Sequence, residues 1–405
     1  MARAGGGVMR AIQYVRSVPR YLAARGLGSA WSGVYTSRLS PARLVEIEPP
    51  ELPGPAWARL RPLLSGVCGS DLSTITAKGS PYFAPLTSTP FVFGHEVVAE
   101  VVETGSRVEA VDVGDRVVVS PPLHCAVRGI QRRCAPCRAG ETGHCRNVER
   151  GEIAPGIQTG YCRDTGGGWS ESLVAHELQL HPVPEGMGDE VAVLIEPLSC
   201  CLHAVERAAP GEGDTTLVIG CGTIGLLTIA ALRAARPGCR IVAVAKYPHQ
   251  RDLAAGLGAD EVAAPLEGLR PRLAELLGAS LRSPEIGPPT AIGGADVAFD
   301  CVATGATLDD AMRFTRARGS VIVVGMPGVP QGIDWTAMWH KELDVRGSYT
   351  APEPTFERAV ELAGEIAGRL RPLVSAAYPL TAWKDAIEHA LDAGSRGSVK
   401  IAFRP

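Results

Sequence analysis

Four cysteines stand close together in the stretch CAVRGIQRRCAPCRAGETGHC, which runs from Cys125 to Cys145. Three of them, Cys134, Cys137 and Cys145, follow the spacing C-x2-C-x7-C. Cysteines at such spacing form a disulfide framework, a zinc finger that binds nucleic acid, or a structural metal site inside an enzyme. The spacing alone does not decide between these three, so the composition and the other motifs must.

The composition favours a cytoplasmic globular protein of about two domains. The chain has 405 residues, 45% of them hydrophobic and 20% charged, with a net charge of −3 and a pI near 6.3. This charge argues against a nucleic-acid partner, and no apolar run reaches the roughly 20 residues of a membrane helix. The opening MARAGGGVMR lacks the apolar core of a secretory signal, so we expect the 11 cysteines to be thiols or metal ligands in a reducing compartment.

A second group of residues has the ligand types of a catalytic zinc. Cys68 lies in GVCGSDL, His95 and Glu96 lie in FGHEVV, and Glu196 lies in IEPLSC. A catalytic zinc takes about three protein ligands and keeps one position open for water or substrate. A cysteine, a histidine and a carboxylate satisfy that requirement.

A glycine-rich turn, VIGCGTIG, supplies the pattern Gly220-x-Gly222-x-x-Gly225. The pattern follows a predicted strand and opens a predicted helix, as a dinucleotide-binding turn does. The helix begins around Thr223 and Ile224, where free N–H groups face a pyrophosphate. The turn therefore predicts a nicotinamide dinucleotide site.

The end of the next strand indicates which dinucleotide binds. An NAD site usually places a carboxylate there to bind the ribose hydroxyl groups. This chain has Ala245 followed by Lys246, with Arg251 nearby. Both cations suit a 2′-phosphate, so the sequence favours NADP(H) over NAD(H).

The elements that must position these residues change in type along the chain. Up to about residue 190, short β-branched runs such as Val97–Gly105 indicate an antiparallel β domain. From about Asp214, apolar strands alternate with helices, among them Pro248–Leu257, which predicts a doubly wound parallel sheet. A helix over Thr355–Ile366 and a strand near Val399–Phe403 indicate a return to the first domain, and Pro284–Gly294 is predicted as a surface loop.

Taken together, the motifs resemble the zinc-dependent medium-chain dehydrogenase/reductase superfamily, which contains alcohol, sorbitol and threonine dehydrogenases. The resemblance rests on GVCGSDL, GHEVVAEVVETG, the cysteine stretch, EPLSC, VIGCGTIG and GSRGSVKIAF, and it covers nearly the whole chain. It implies an α/β fold in which a Rossmann domain (191–345) interrupts a discontinuous, mostly-β, GroES-like catalytic domain (1–190 and 346–405). The structural zinc lobe would span 124–146.

The resemblance also implies the roles of individual residues. Cys68, His95 and either Glu96 or Glu196 would bind the catalytic zinc, with the two carboxylates exchanging on the metal. Ser70 would pass the substrate proton towards solvent, and Asp71 would orient His95. By the same resemblance, Cys125, Cys134, Cys137 and Cys145 would hold a structural zinc, with Cys125 in place of the usual cysteine at Gln131. Ser73 stands where many relatives have a relay histidine. The segments 16–34 and 150–168 would shape the substrate mouth.

The expected activity is hydride transfer between NAD(P) and an alcohol or carbonyl substrate, by a homodimer or homotetramer with two zinc ions per chain. A reductase of the same fold that acts on an iminium or activated C=C bond is the alternative. That alternative expects the catalytic zinc ligands to be lost, and here they are present.

Overall fold

The computed structural model describes residues 7–265 and 268–405. The chain divides into two compact units. The first unit comprises the chain up to Glu196 together with Pro352–Ala393 and Lys400–Pro405. The second unit comprises Pro197–Ala351 and Gly394–Val399.

A six-stranded parallel sheet forms the centre of the second unit. Its strands, in spatial order, are Glu261–Ala263, Arg240–Val244, Thr215–Ile219, Ala295–Asp300, Thr315–Val323 and Asp344–Gly347. In chain order this is 3-2-1-4-5-6, the order of a doubly wound dinucleotide-binding sheet. The strand order reverses between Thr215–Ile219 and Ala295–Asp300, and ligands of such sheets bind outside the carboxyl ends of the strands at that point. The predicted Rossmann fold is confirmed.

Helices cover this sheet because its strands are apolar on both faces. The strand TTLVI is buried along nearly its whole length, as parallel strands between two helix layers are. The helices of the second unit are Thr223–Ala235, Pro248–Leu257, Leu269–Leu276, Gly305–Phe314 and Thr336–His340, and Ile195–Ala208 spans the division between the units. Leu226, Leu227 and Ile229 of the first of these helices are completely buried.

The first unit contains two mostly antiparallel sheets. The larger sheet has the spatial order Val374–Tyr378, Lys400–Phe403, Trp57–Gly66, Val97–Thr104, Arg116–Val119 and Leu180–Pro182, with Leu173–His176 also pairing with Trp57–Gly66. The smaller sheet has the order Ala42–Ile47, Met9–Tyr14 and Phe91–Val92. Alternate residues of the larger sheet, such as Leu60 and Val101, form a buried core, so the predicted mostly-β domain is confirmed.

Short helices connect and cover these strands. The α-helices are Val18–Leu27, Gly69–Ile75, Ala135–Arg138, Asp189–Ala192, Glu353–Glu365, Ala367–Leu370 and Trp383–Leu391. The 3-10 turns are Ser32–Tyr35, Pro81–Leu86, Thr142–His144, Glu177–Gln179, Arg371–Leu373 and Leu380–Ala382. Among the residues that the structure describes, no helix combines the length and the apolar character needed to cross a bilayer.

The structure differs from the sequence-based expectation in the segment 284–294 and in the bounds of the two units. The segment 284–294 is not all loop, because Thr290–Ile292 pairs with Ser280–Arg282 as a small antiparallel hairpin. The segment Gly394–Val399, expected in the catalytic domain, belongs to the second unit. There a Cβ on Gly394 would lie 2.2 Å from the Tyr247 ring, and the His249 Nε2 atom lies 3.3 Å from the Ser398 carbonyl oxygen.

Candidate active site and zinc lobe

The three glycines of the predicted dinucleotide turn differ in backbone conformation and in steric surroundings. Gly220 has φ = 89°, a left-handed conformation that L residues rarely adopt. A Cβ on Gly225 would lie 1.7 Å from the Gly220 carbonyl oxygen, so the helix packs too closely there for any side chain. A Cβ on Gly222 meets nothing within 4 Å, which leaves the helix N-terminus at Thr223 open for a pyrophosphate.

The residues expected at the ribose lie after the neighbouring strand. Ala245 is buried directly beyond Arg240–Val244, and Lys246 is exposed. The Lys246 Nζ atom lies 5.3 Å from the centre of the Tyr247 ring, and Arg251 donates a hydrogen bond to the Lys246 carbonyl oxygen at 3.4 Å. Two cations therefore lie at this strand end.

Cys68, Asp71 and His95 converge in the first unit. Cys68 is the N-cap of the helix Gly69–Ile75, which places Asp71 on the first turn. The Asp71 Oδ2 atom accepts a hydrogen bond from the Cys68 backbone N–H at 3.0 Å, and its Oδ1 atom lies 3.6 Å from His95 Nδ1. Asp71 thus faces the Nδ1 side of the ring, which leaves His95 Nε2 as the nitrogen available to a metal.

The electrostatics of this group match a cation-binding site. Burial opposes protonation of His95, but Asp71, Cys68 and Glu196 together raise its pKa well above the ordinary value. Burial raises the pKa of Asp71 to about 6. The buried Ser70 Oγ, Asp71 Oδ1 and His95 Nδ1 atoms have no hydrogen-bond partner among the residues that the structure describes. Acidic groups and unpartnered polar atoms around one histidine fit a bound metal ion.

Glu96 is engaged by a residue that sequence reasoning did not identify. Lys400 Nζ lies 2.7 and 2.6 Å from the two carboxylate oxygens of Glu96, and both side chains are almost fully buried. Lys400 also donates to the Val67 carbonyl oxygen at 3.2 Å. Gly66 makes room for the pair, since a Cβ there would lie 1.8 Å from Glu96 Oε2. A lysine inside the apolar terminal strand KIAF was the signal in the sequence.

Tyr161, from the 150–168 segment, is a second residue that the sequence did not single out. Its ring centre lies 5.9 Å from that of His95, and its hydroxyl lies 3.4 Å from Thr74 Oγ1. Burial raises the Tyr161 pKa, so the phenol keeps its proton. The segment 150–168 therefore places an aromatic ring beside His95 and a hydroxyl group beside Thr74. No feature of the Gly-rich sequence linked Tyr161 to Thr74.

The four cysteines of the zinc lobe lie together. The Sγ atoms of Cys125, Cys134, Cys137 and Cys145 all lie within 4.8 Å of one another. Cys125 Sγ is 3.6 Å and Cys134 Sγ is 4.0 Å from Cys145 Sγ. Tetrahedral zinc with Zn–S bonds of about 2.3 Å requires separations of about 3.8 Å, so the four thiols fit that metal.

Neighbouring N–H groups favour the thiolate form of Cys134, whereas burial raises the pKa of Cys137 and Cys145. The backbone N–H of Arg146 donates to Cys134 Sγ at 3.4 Å, and the Asn147 side-chain amide donates to Cys125 Sγ at 3.2 Å. Burial raises the pKa of Cys134, but hydrogen bonds from the Arg146 and Cys137 backbones outweigh it and lower the pKa to about 6. Among the described residues, no other three His, Cys, Asp or Glu side chains have ligand atoms that all lie within 4.8 Å of one another. Cys68, His95, Glu96 and Glu196 therefore do not form so close a group.

Arg128 stabilises the loop 126–133, the eight residues between Cys125 and Cys134. Its buried guanidinium donates to five backbone carbonyl oxygens, those of Leu123, Arg150, Ile153, Ala154 and Gly156, at 2.7–3.1 Å. These bonds tie both ends of the lobe together. The sequence offered no signal for this role, because Arg128 is one of several arginines in the stretch.

The other predicted residues lie as follows. Ser73 occupies a half-buried position on the helix Gly69–Ile75. All 11 cysteines are free thiols. Cys162, Cys201, Cys221 and Cys239 are buried, whereas Cys200 and Cys301 are partly exposed.

Comparison with known proteins agrees with this geometry. The family model "Zinc-binding dehydrogenase" matches residues 223–365 and "Alcohol dehydrogenase GroES-like domain" matches residues 54–185, together more than half of the chain. L-idonate 5-dehydrogenase of Vitis vinifera is 29% identical over 365 residues, covering 89% of this chain and 92% of the relative. Sorbitol dehydrogenase of Arabidopsis thaliana is 29% identical over 379 residues, covering 93% and 94%.

A solved structure shows the same fold over the full length. The 2R,3R-butanediol dehydrogenase of Bacillus subtilis aligns with a TM-score of 0.73 at 26% identity, covering 98% of this chain and 99% of that one. Relatives of this kind do not favour the alternative of iminium or C=C reduction. The chain belongs to the zinc-dependent medium-chain dehydrogenase/reductase superfamily, as an oxidoreductase that uses a nicotinamide dinucleotide and acts on CH–OH groups.

Proposed function

We propose that the catalytic metal of this dehydrogenase is a zinc ion bound by Cys68, His95 and Glu196. The observation that carries the proposal is the contact of Asp71 with both the Cys68 backbone and the buried ring of His95. The charge of Glu196 also helps to raise the pKa of His95. Glu96 is the other candidate carboxylate, but its two oxygens pair with Lys400, so we propose Glu196 as the third ligand.

Each residue of the proposed site has its own role in the reaction. Bound zinc would act as a Lewis acid that lowers the pKa of the substrate hydroxyl. Asp71 holds the ring of His95 and the backbone of Cys68 in one orientation, which keeps the two ligands aligned. Ser70, whose buried hydroxyl has no hydrogen-bond partner among the described residues, would accept the substrate proton while releasing its own towards solvent. A bound nicotinamide ring would supply the hydride acceptor.

We propose polyols and vicinal diols as the substrate class. The relatives compared above bear the names of dehydrogenases of L-idonate, sorbitol and 2R,3R-butanediol, which all carry secondary hydroxyl groups next to other oxygens. A screen of such alcohols, with simple monoalcohols as the control, would follow reduction of NADP and NAD by the change in nicotinamide absorbance. Turnover of monoalcohols alone would contradict the substrate class, and no turnover of any alcohol would contradict the function.

The residues that follow the strand Arg240–Val244, where the ribose would bind, favour NADP(H) as the cofactor. The support is the pair of cations, Lys246 and Arg251, beyond the buried Ala245, with no carboxylate at the strand end itself. Each charge-assisted hydrogen bond to a 2′-phosphate is worth about 1.5–3 kcal/mol. One such bond gives a preference of about tenfold to a hundredfold over NAD(H).

The zinc lobe holds a second, structural zinc in this proposal. Four thiols at tetrahedral separations, with N–H donors to the sulfurs, support a closed site that stabilises the fold and takes no part in catalysis. Removing this metal should lower the folded yield, whereas removing the metal at Cys68 should abolish turnover and leave the fold intact.

The remaining proposals concern assembly and compartment. We expect a homodimer or homotetramer, as the family resemblance implies, and a monomeric mass by light scattering at micromolar concentration would contradict it. The absence of disulfides among the 11 cysteines supports a reducing, cytoplasmic location.

A further inference from the structure

A strongly basic, open cavity lies on the surface of the zinc lobe, and its lining includes Cys134 of that lobe. Its volume is about 640 Å³. Its lining includes the side-chain amide residue Asn147 and five arginines, which are Arg132, Arg133, Arg138, Arg146 and Arg150. No aspartate or glutamate lines the cavity within the part of the chain that the structure describes.

The five guanidinium groups lie close together without carboxylate partners. Several other arginines do pair with carboxylates, as Arg61 does with Glu100 at 2.6 Å and Arg233 with Asp260 at 2.8 Å. None of the five cavity arginines forms an ion pair in residues 7–265 and 268–405. Arg138 instead donates to the Arg133 carbonyl oxygen at 2.6 Å, which leaves the positive charges uncompensated.

The zinc lobe itself neutralises only part of this charge. Four thiolates around one Zn²⁺ carry a net charge of about −2, against five guanidinium groups, so an excess of about three positive charges is left. The chain as a whole has a net charge of −3. A concentration of repelling cations in a concave site on an acidic protein is favourable only when an anion offsets it.

We propose that this cavity binds a small ligand with adjacent phosphate groups, of the kind found in tripolyphosphate or a nucleoside triphosphate. The planar guanidinium fork matches phosphate oxygens in pairs, which a lysine ammonium does not. The volume lies within the range of about 300–1,000 Å³ of small-molecule sites. This site is independent of the dehydrogenase function.

The test is calorimetric titration of inorganic tripolyphosphate into the zinc-loaded full chain, both in the wild type and in Gly225→Ala, in which the dinucleotide turn is disabled. The probe should bind saturably in about 0.1 M salt, where the Debye length is about 10 Å. Arg132→Glu/Arg138→Glu should weaken binding at least about tenfold, since it reverses two of the five charges. Arg132→Lys/Arg138→Lys keeps the charge and should weaken binding less.

A matched control carries the same change in charge elsewhere in the first unit. Arg38→Glu/Arg107→Glu replaces two exposed arginines outside the cavity and should leave the affinity within about twofold. Equal loss in both variants, or no saturable binding by the wild type, would overturn the proposal. Displacement of tripolyphosphate by a single-stranded oligonucleotide that binds more tightly would also overturn it, in favour of a nucleic-acid surface.

Discussion

The buried ion pair between Lys400 and Glu96 provides the sharpest test of the active-site geometry. Lys400→Met removes the cation and leaves the Glu96 carboxylate buried without its partner. Lys400 is 3% and Glu96 is 1% exposed, so water cannot replace the lost bonds. Breaking a buried pair from one side costs about 3–5 kcal/mol of stability. We expect a loss of this size in the free energy of unfolding.

The second half of the test removes both charges. Replacing a buried pair by apolar residues of similar volume is often neutral, so Lys400→Met/Glu96→Leu should recover most of the stability that Lys400→Met loses. Arg61→Met is the matched control, because the Arg61–Glu100 pair is exposed. An exposed pair is worth less than about 1 kcal/mol.

Urea unfolding followed by tryptophan fluorescence measures these differences near the pair. The buried indole of Trp169 donates to the Gly66 carbonyl oxygen at 3.1 Å, beside the site. If Lys400→Met lowers the free energy of unfolding by no more than Arg61→Met does, the ion pair between Lys400 and Glu96 is refuted. Failure of the double variant to recover would show that Lys400 acts chiefly through another contact, such as the Val67 carbonyl oxygen.

Three further changes test other parts of the account. Gly225→Ala should prevent NADPH binding by fluorescence titration, because its Cβ would lie 1.7 Å from a backbone oxygen; normal binding would contradict the packing. Lys246→Ala should weaken NADPH by about tenfold or more and leave NADH nearly unchanged, whereas Ala245→Asp should shift the preference towards NADH; equal effects of Lys246→Ala on both dinucleotides would contradict the charge argument. Arg128→Leu should destabilise the zinc lobe by more than about 4 kcal/mol, since five carbonyl groups lose their donor; zinc release to a chelator should accelerate, and an unchanged release rate would exclude a positioning role.

Local patterns predicted the second unit closely. The helix Pro248–Leu257 was predicted with the bounds that the structure has, because proline at its start and glycine after its end are strong signals. Gly220 and Gly225 of VIGCGTIG each meet a conformational or steric requirement of the chain itself, whereas a Cβ on Gly222 would meet nothing within 4 Å. Signals of this kind depend only on neighbouring residues.

Interactions between residues far apart in the chain could not be predicted from the sequence. Lys400 meets Glu96 across 304 positions of the chain, and Tyr161 reaches Thr74 across 87. A single sequence contains no record of which distant side chains meet. The hairpin partner of Thr290–Ile292 was missed for a different reason, because a three-residue strand in a Pro- and Gly-rich segment has no periodicity to detect.

The zinc content of wild-type protein and of Cys68→Ser, measured by elemental analysis after extensive dialysis, tests the central claim most directly. The account predicts two zinc ions in the wild type, one in the lobe of Cys125, Cys134, Cys137 and Cys145 and one at Cys68 and His95. Cys68→Ser should keep the first, lose the second and retain its fold by circular dichroism, with no turnover of any alcohol. Two zinc ions in Cys68→Ser, or full turnover with one, would contradict the assignment of the catalytic metal to this site.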